Sequence, residues 1–499
     1  MSARERALAA AGAVAVAVCV AVPFFAATTF FGDDHLFLAF ARHEHHPWRA
    51  FVADLHGGEY YRPLWMLFWW VLARAGGLTS FAVAALLLHA GASLLVGRLV
   101  RALGRPDRVA LAAGALMFLS PQNLSAAAWF SATTDLLATV FVLLALLAVA
   151  KNRPVLSLLA TAAACLSKES AYALPALSAI LIVALPDPRP RRRDAVAIAA
   201  QAVVVLAVAV ARRIVLHGWG GAGEARPGAL VLVVQIAAGL AQTFTGDEVV
   251  PVPVALTAGI AVVGVAFWGA VRRAGGAGRF APFALAAVAA LPLLGAGWAV
   301  GARYDYLPSV GLCWAVAEVL GDAGAAARAT IACALLLIGA AQGALRRQDV
   351  VSYERRLAAA RRAVRAGAAA GHHVFHVDGG IKDLDLAIKE DPSLEAADLL
   401  VLGDVPASFA IIPESLQAAA RPLLAVPPIP PSGAYAFGDA RVVGLARRGD
   451  EPDLSEALAW FPDLRFIRLM RAPAGQVVAR DVTARLERAI DAGDGSGQD

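Results

Sequence analysis

Apolar stretches close to the roughly 20 residues that a helix needs to cross a bilayer recur along this chain from residue 7 to about residue 345. No other feature restricts the fold as strongly. Backbone in lipid must satisfy its own hydrogen bonds, and helices do this segment by segment. The composition agrees: 59% of the 499 residues are hydrophobic and only 17% are charged, against about 25% charged in a soluble globular domain. The reading is an α-helical polytopic membrane protein, which excludes a soluble enzyme and a disordered chain. The 44 basic and 39 acidic residues leave a net charge of +5. That balance would suit nucleic acid only if the basic residues clustered on one soluble face. They sit instead in short loops between apolar runs or are scattered along the tail, so no nucleic-acid partner is expected.

The pattern predicts about eleven spans, at roughly 7–30, 79–97, 109–128, 134–150, 155–167, 170–186, 195–215, 249–271, 280–300, 306–320 and 328–345. Arg4 and Arg6 precede a first apolar run that is long and followed by many others, which favours an uncleaved first helix over a signal peptide. The pair at 155–186 is interrupted by Ser167-Lys168-Glu169-Ser170 and reads either as two short spans or as one broken helix. Two short spans give the better charge bias. Arg98, Arg101, Arg105, Arg108, Lys151, Arg153, Arg189, Arg191, Arg192, Arg193, Arg272, Arg273 and Arg279 then share one side, which the positive-inside rule makes cytoplasmic. The N-terminus lies on that side and the C-terminal tail outside, in a bacterial inner (plasma) membrane. Residues 62–75, with Trp65, Trp69 and Trp70, read as a helix lying at the interface, and 229–244 as another such helix or a shallow re-entrant one. Cys19, Cys165, Cys313 and Cys333 all fall in apolar segments without metal-ligand spacing, as small buried hydrophobes do.

After Arg346 the composition changes, dividing the chain into a membrane domain at 1–345 and a tail at 346–499. The tail holds β-like runs at 374–377, 399–402, 441–445 and 465–469, with helical patterns near 349–370, 381–390 and 410–420. About 150 residues suffice for one core, so the tail is expected to be a small α/β extracytoplasmic domain. Pro427-Pro428-Ile429-Pro430-Pro431 is a stiff connector, and no 34-residue repeat is visible.

Polar residues break the apolar pattern at a few places. Asp33 and Asp34 stand at the external end of the first span. A carboxylate there suits proton abstraction from a hydroxyl, and equally suits a solvated helix end. Half of the ten histidines follow: His35, His43, His45, His46 and His56. With the aspartates they are weak candidates for a divalent metal, His35 foremost, although His43-Glu44-His45-His46 lacks a specific ligand spacing. Tyr60-Tyr61-Arg62-Pro63-Leu64 offers a planar guanidinium where a lipid phosphate would lie, or a snorkelling arginine. Asp135, the pair Lys168-Glu169 and Arg303-Tyr304-Asp305 interrupt later spans near the same side. Ionisable groups at such depth face a polar cavity or pair with one another.

These patches, in this order, resemble the membrane glycosyltransferases of the GT-C fold. They look most like the protein O-mannosyltransferase-like branch and, within it, the membrane core of the transmembrane O-mannosyltransferases that carry tetratricopeptide repeats, with their bacterial relatives. The matching positions are Asp33-Asp34, Tyr61-Arg62-Pro63-Leu64, Pro121 through Trp129 to Asp135-Leu136-Leu137-Ala138, Lys168-Glu169, and Arg303 through Gly311. Together they cover roughly residues 7–320. The resemblance implies a polyprenyl-phosphate-linked sugar as donor and transfer with inversion to a protein or glycan hydroxyl on the extracytoplasmic side. It implies that Asp33 or Asp34 is the general base. Arg303, Lys168 and Arg62 would bind the donor phosphate, with Asp135, Glu169, Tyr304 and Tyr61 as further cavity residues. It requires no certain cofactor and leaves a divalent metal open. Asn123 and Ser125 stand where the eukaryotic relatives usually have a histidine and a glutamate, and the repeat array is missing. The competing reading is a transporter or flippase of a lipid-linked or polar solute. Such proteins usually show internal repeats and paired broken helices, and no convincing repeat is found.

Overall fold

A computed structural model describes residues 28–55, 60–186, 191–218, 229–245, 252–272, 277–295, 302–378, 381, 384–395, 397, 399–403, 408–411, 434–437, 440–445, 464–471 and 477–484. Its described residues form two units. The first takes Ala50–Val52 and Tyr61–Arg347; the second takes Thr29–Arg49, Ala53–Tyr60 and the residues from Gln348 onward. The stretch around Asp33-Asp34 therefore belongs with the tail.

The helices in chain order are α1 (Asp34–His43), α2 (Pro63–Ala102), α3 (Asp107–Leu119), α4 (Pro121–Ala127), α5 (Thr133–Ala150), α6 (Pro154–Ser167), α7 (Leu174–Ala184), α8 (Arg191–Val215), α9 (Ala229–Gln242), α10 (Val252–Arg272), α11 (Ala281–Ala290), α12 (Tyr306–Asp322), α13 (Ala325–Ala369), α14 (Leu384–Ile388) and α15 (Pro392–Glu395). Several begin where the sequence starts helices most readily. Pro63, Pro121 and Pro154 occupy first-turn positions, where a missing N–H costs nothing. Ser120 caps α4 by accepting the Asn123 N–H, leaving α3 and α4 bent by 55° at this break.

In the first unit, α2, α5, α8, α10 and α13 contain stretches long and apolar enough to cross a membrane, six in all if the bent α3–α4 pair counts as one span. Of the expected spans, those at 155–167, 170–186 and 280–300 fall on apolar helices of 10–17 residues, and so does the 229–244 stretch expected to be interfacial or re-entrant. The first expected span, 7–30, lies outside the described residues up to position 27. Leu206 and Ile214 of α8 are 63% and 66% exposed, as a lipid-facing surface requires. By contrast α5 is packed on nearly every side, with Leu136, Ala138, Val142, Leu143 and Ala145 fully buried.

The helix expected at 62–75 is the first part of α2, and a backbone break at Gly76-Gly77 separates it from the part that continues to Ala102; Gly77 has φ +60°, a conformation glycine adopts without strain. Trp65 and Trp69 are buried within the protein. Both indole N–H groups donate to Thr133 Oγ1, at 3.0 and 3.1 Å, and the Thr133 hydroxyl donates to the Phe130 carbonyl at 2.6 Å. An aromatic pair with its polar ends satisfied inside the protein needs no headgroup region. The 280–300 run also divides, into α11 and a 3₁₀ turn at Leu291–Gly295. Against α11 packs α12, closely enough that a Cβ on Gly311 would meet the Pro282 carbonyl oxygen at 2.3 Å.

The second unit contains β1 (Val374–Asp378), β2 (Leu400–Gly403), β3 (Ser408–Ile411), β4 (Ala434–Phe437), β5 (Ala440–Leu445), β6 (Arg465–Arg471) and β7 (Val477–Asp481). One sheet has the order β2-β1-β6-β7, parallel through β6, with β7 antiparallel at the edge. In the other, β3-β5-β4 are antiparallel. Phe375, Val377, Val401 and Ile467 pack with Leu384, Ile388 and Leu394, and with Leu357, Ala360 and Val364 of α13. All four strands read from the sequence are present. The helix expected at 410–420 is corrected at its start, since residues 410–411 belong to β3; residues 412–420 lie outside the described set. The expected helix near 349–370 is the second half of α13, which runs without interruption from the apolar 325–345 stretch.

Candidate functional site

In the first unit, breaks between helices bring charged groups together. The C-cap of α6 is Lys168, whose extended backbone (φ −162°, ψ 148°) ends that helix before a 3₁₀ turn at Glu169–Ala173. Thr134 fastens the break by donating to the Ser167 carbonyl at 2.8 Å. Asp135 sits in the first turn of α5, where the helix dipole favours a carboxylate. Lys168 Nζ donates to Asp135 Oδ1 at 2.5 Å, and both side chains are 5% exposed. The ammonium also lies 4.6 Å from the centre of the Tyr304 ring, a cation–π contact.

Next to Lys168 in sequence, Glu169 points to two guanidinium groups. Arg62 holds Glu169 Oε2 through Nε at 3.0 Å and Nη2 at 2.9 Å. Arg212, in the last turn of α8, donates to Oε1. One carboxylate thus bridges two guanidinium groups whose side chains are each 10% exposed. Arg212 was not singled out by the sequence. It reads as one of several loop arginines there, and only its place at the inner end of an apolar helix, buried while Arg213 is exposed, distinguishes it.

Asp305 was noted only as part of its motif. It ends the 3₁₀ turn at Ala302–Asp305 and precedes α12 without capping it. Its side chain is fully buried, and among the described residues neither oxygen has a hydrogen-bond partner. The Arg303 side chain lies outside the described residues. Tyr61 is buried and its hydroxyl donates to the Phe51 carbonyl at 3.1 Å. Asn123, at the position that departs from the family pattern, packs structurally: its amide donates to the Met117 carbonyl and its oxygen accepts from the Ser309 hydroxyl at 3.1 Å. His89 pairs with Tyr306 across α2 and α12. Its Nε2–H donates to the Phe118 carbonyl at 3.0 Å, so Nδ1 must accept from the Tyr306 hydroxyl, 2.7 Å away.

In the second unit, Asp34 is buried and accepts the Phe31 N–H at 3.2 Å, a turn-closing role. Asp33 is half-buried. The His35 ring has both nitrogens engaged: Nδ1 lies 2.5 Å from Glu390 Oε1, and Nε2 lies 2.6 Å from the Tyr353 hydroxyl oxygen. Burial alone would raise the Glu390 carboxyl. The His35 hydrogen bond and charge, with Arg361 and Arg42, outweigh it and hold the group below the usual carboxylate range. A metal at His35 would have to displace one of these partners. Among the described residues no three His, Cys, Asp or Glu side chains gather as a metal set, so no step is routed through a metal. His43 faces Glu395 at 3.2 Å, and His56 lies outside the described residues.

No family model matches this chain, and neither a curated protein nor a solved structure is similar to it.

Proposed function

We propose that the chain is an integral membrane glycosyltransferase of the GT-C type, with short helices completing about eleven crossings and the tail on the extracytoplasmic side. It transfers a sugar from a polyprenyl-phosphate donor to an acceptor hydroxyl with inversion. The observation that carries this reading is the gathering of Arg62, Arg212 and Lys168 around Glu169 and Asp135 at breaks between apolar helices. Ionisable groups in such a setting face a polar cavity or one another. A cavity lined by these cations would suit a lipid-linked phosphate.

The proton and charge balance fits. The acceptor oxygen attacks the anomeric carbon while its proton passes to a carboxylate, and the bond from that carbon to the phosphate oxygen breaks. The donor phosphodiester carries one negative charge, and the departing polyprenyl phosphate gains another. Arg62, Arg212 and Lys168 would stabilise that developing charge, as preorganised cations do in a water-poor site. Lys168 has further N–H donors beyond the one given to Asp135. The base role implied by the resemblance falls on Asp33, because Asp34 is buried and committed to the Phe31 N–H.

The test uses purified protein in lipid with a panel of radiolabelled polyprenyl-phosphate sugars. Release of sugar from the lipid, to an acceptor or to water, is compared in wild type, Asp33→Asn, Asp34→Asn and Arg212→Met. The expected result is donor-dependent release that collapses in Asp33→Asn and falls in Arg212→Met. No release with any donor from folded, lipid-binding protein overturns the reading, and substrate flux in the same vesicles would replace it with transport.

A further inference from the structure

The helix that carries the aspartates is held by the tail. Three side chains of α1 reach one short segment that runs from the end of α14 through α15. His35 meets the Glu390 carboxylate at 2.5 Å. Arg42 donates to the Lys389 carbonyl at 2.9 Å and the Glu390 carbonyl at 3.2 Å. His43 faces Glu395 at 3.2 Å. Positions 35, 42 and 43 are spaced i, i+7, i+8, which puts them on one face of the helix. The segment they meet is itself fixed, since Arg361 of α13 donates to Glu390 Oε2 at 3.1 Å and to the Ala387 carbonyl. Below it, Lys389 pairs with buried Asp385 at 2.9 Å. The contact at His43 is partly exposed and worth little alone. His35 is different: it is 1% exposed and bonded at both ring nitrogens, so its direction is determined.

We infer that the 389–395 segment is the seat that sets the orientation of α1, and that Glu390 is a positioning residue for the base at Asp33. The inference rests on the glycosyltransferase reading. His35 follows Asp33-Asp34 directly, so a rotation of α1 about its axis moves both carboxylates. A displacement on the order of 1 Å at a reacting group costs about a hundredfold in rate. A chain cut at 345 then loses the partner of its first-loop helix.

The experiment uses the full-length protein in nanodiscs, with Glu390→Ala, Tyr353→Phe and the two together, and with His35→Ala beside His35→Asn. The amide nitrogen of an asparagine can take the place of Nδ1 and keep the bond to Glu390. Amide hydrogen exchange across 34–43 and steady-state kinetics are both measured. The expected result is exchange across α1 faster by about tenfold or more in Glu390→Ala and His35→Ala, with peptides of α5 unchanged. kcat falls about tenfold to a hundredfold with donor KM nearly unchanged, and His35→Asn recovers a substantial part. Unchanged exchange in the double variant overturns the clamp. Faster exchange with an unchanged kcat overturns the positioning role. A wild type that releases no sugar overturns the enzymatic reading instead, and the exchange data then decide the clamp on their own.

Discussion

Asp135 and Asp305 are both buried aspartates of the first unit, yet their replacement by asparagine is expected to move stability in opposite directions. Asp135 compensates Lys168, whose side chain is 5% exposed. Asp135→Asn leaves that ammonium without an ionic partner in a low-dielectric setting. Breaking a buried pair from one side costs about 3–5 kcal/mol, and the 4.6 Å contact with Tyr304, common to wild type and variant, offsets none of it. Among the described residues neither oxygen of Asp305 has a hydrogen-bond partner. A buried polar group in that condition costs about 1–3 kcal/mol, and more if ionised; an isosteric amide can only lessen the penalty. The two variants should therefore differ by about 3–5 kcal/mol, with Asp305→Asn at or above wild type. A third variant closes the cycle. Asp135→Asn combined with Lys168→Met removes both charges and should recover most of the loss, because replacing a whole buried pair is close to neutral. Reversible unfolding in mixed micelles, followed by tryptophan fluorescence, measures all of them. An Asp305→Asn variant as unstable as Asp135→Asn would refute the reasoning, since Asp305 would then have a structural partner. If Asp305 is retained for a ligand, its asparagine variant is stable but slow in the sugar-release assay.

Three further outcomes are expected. Glu390 has a depressed carboxyl pKa in the folded chain. Its contribution is therefore present above the unfolded value near 4.3 and lost as pH falls through the lower folded value; exchange across 34–43 should accelerate only in that acidic window. Acceleration that begins above pH 6 would contradict the role given to Glu390. Thr133→Val deprives two buried indole N–H groups of their shared acceptor and should cost about 2–4 kcal/mol, read by the same unfolding measurement. Gly311→Ala drives a methyl to 2.3 Å from the Pro282 oxygen, so α11 and α12 must separate at a cost of about 1–3 kcal/mol or more. A variant as stable as wild type would show that the helices do not pack this closely.

The sequence made the helical, apolar character of the first unit plain because composition acts over whole segments. It also exposed the parallel strands at 374–377, 399–402 and 465–469, through short runs rich in valine, isoleucine, leucine and phenylalanine. Helix length was harder to read, as the short α6 and α11 show, although the boundary between the 62–75 helix and the 79–97 span does fall at a backbone break, Gly76-Gly77. Pairing across distant segments was harder still. Lys168 and Asp135 were both visible as interruptions, and mutual pairing was one of the readings for them. Arg212 gave no comparable signal, because one arginine beside another at a helix end looks the same whether it faces lipid headgroups or a carboxylate on another segment.

The placement of the first loop shows most directly what hydropathy cannot register. Asp33 to Arg49 is polar and flanked by apolar chain, so as sequence it belongs to the membrane region. Its apolar positions, Leu36, Phe37, Phe40 and Ala41, are nevertheless buried within the second unit. The charged positions on the 35–42–43 face find their partners at 389–395. The tail therefore specifies the direction of this helix through contacts that neither stretch reveals alone. It follows that truncating the tail should do more than remove a module. It should unfasten α1, so loss of activity and increased proteolysis between 29 and 49 should appear in the same variant. Proteolysis there that is unchanged by the truncation would refute this.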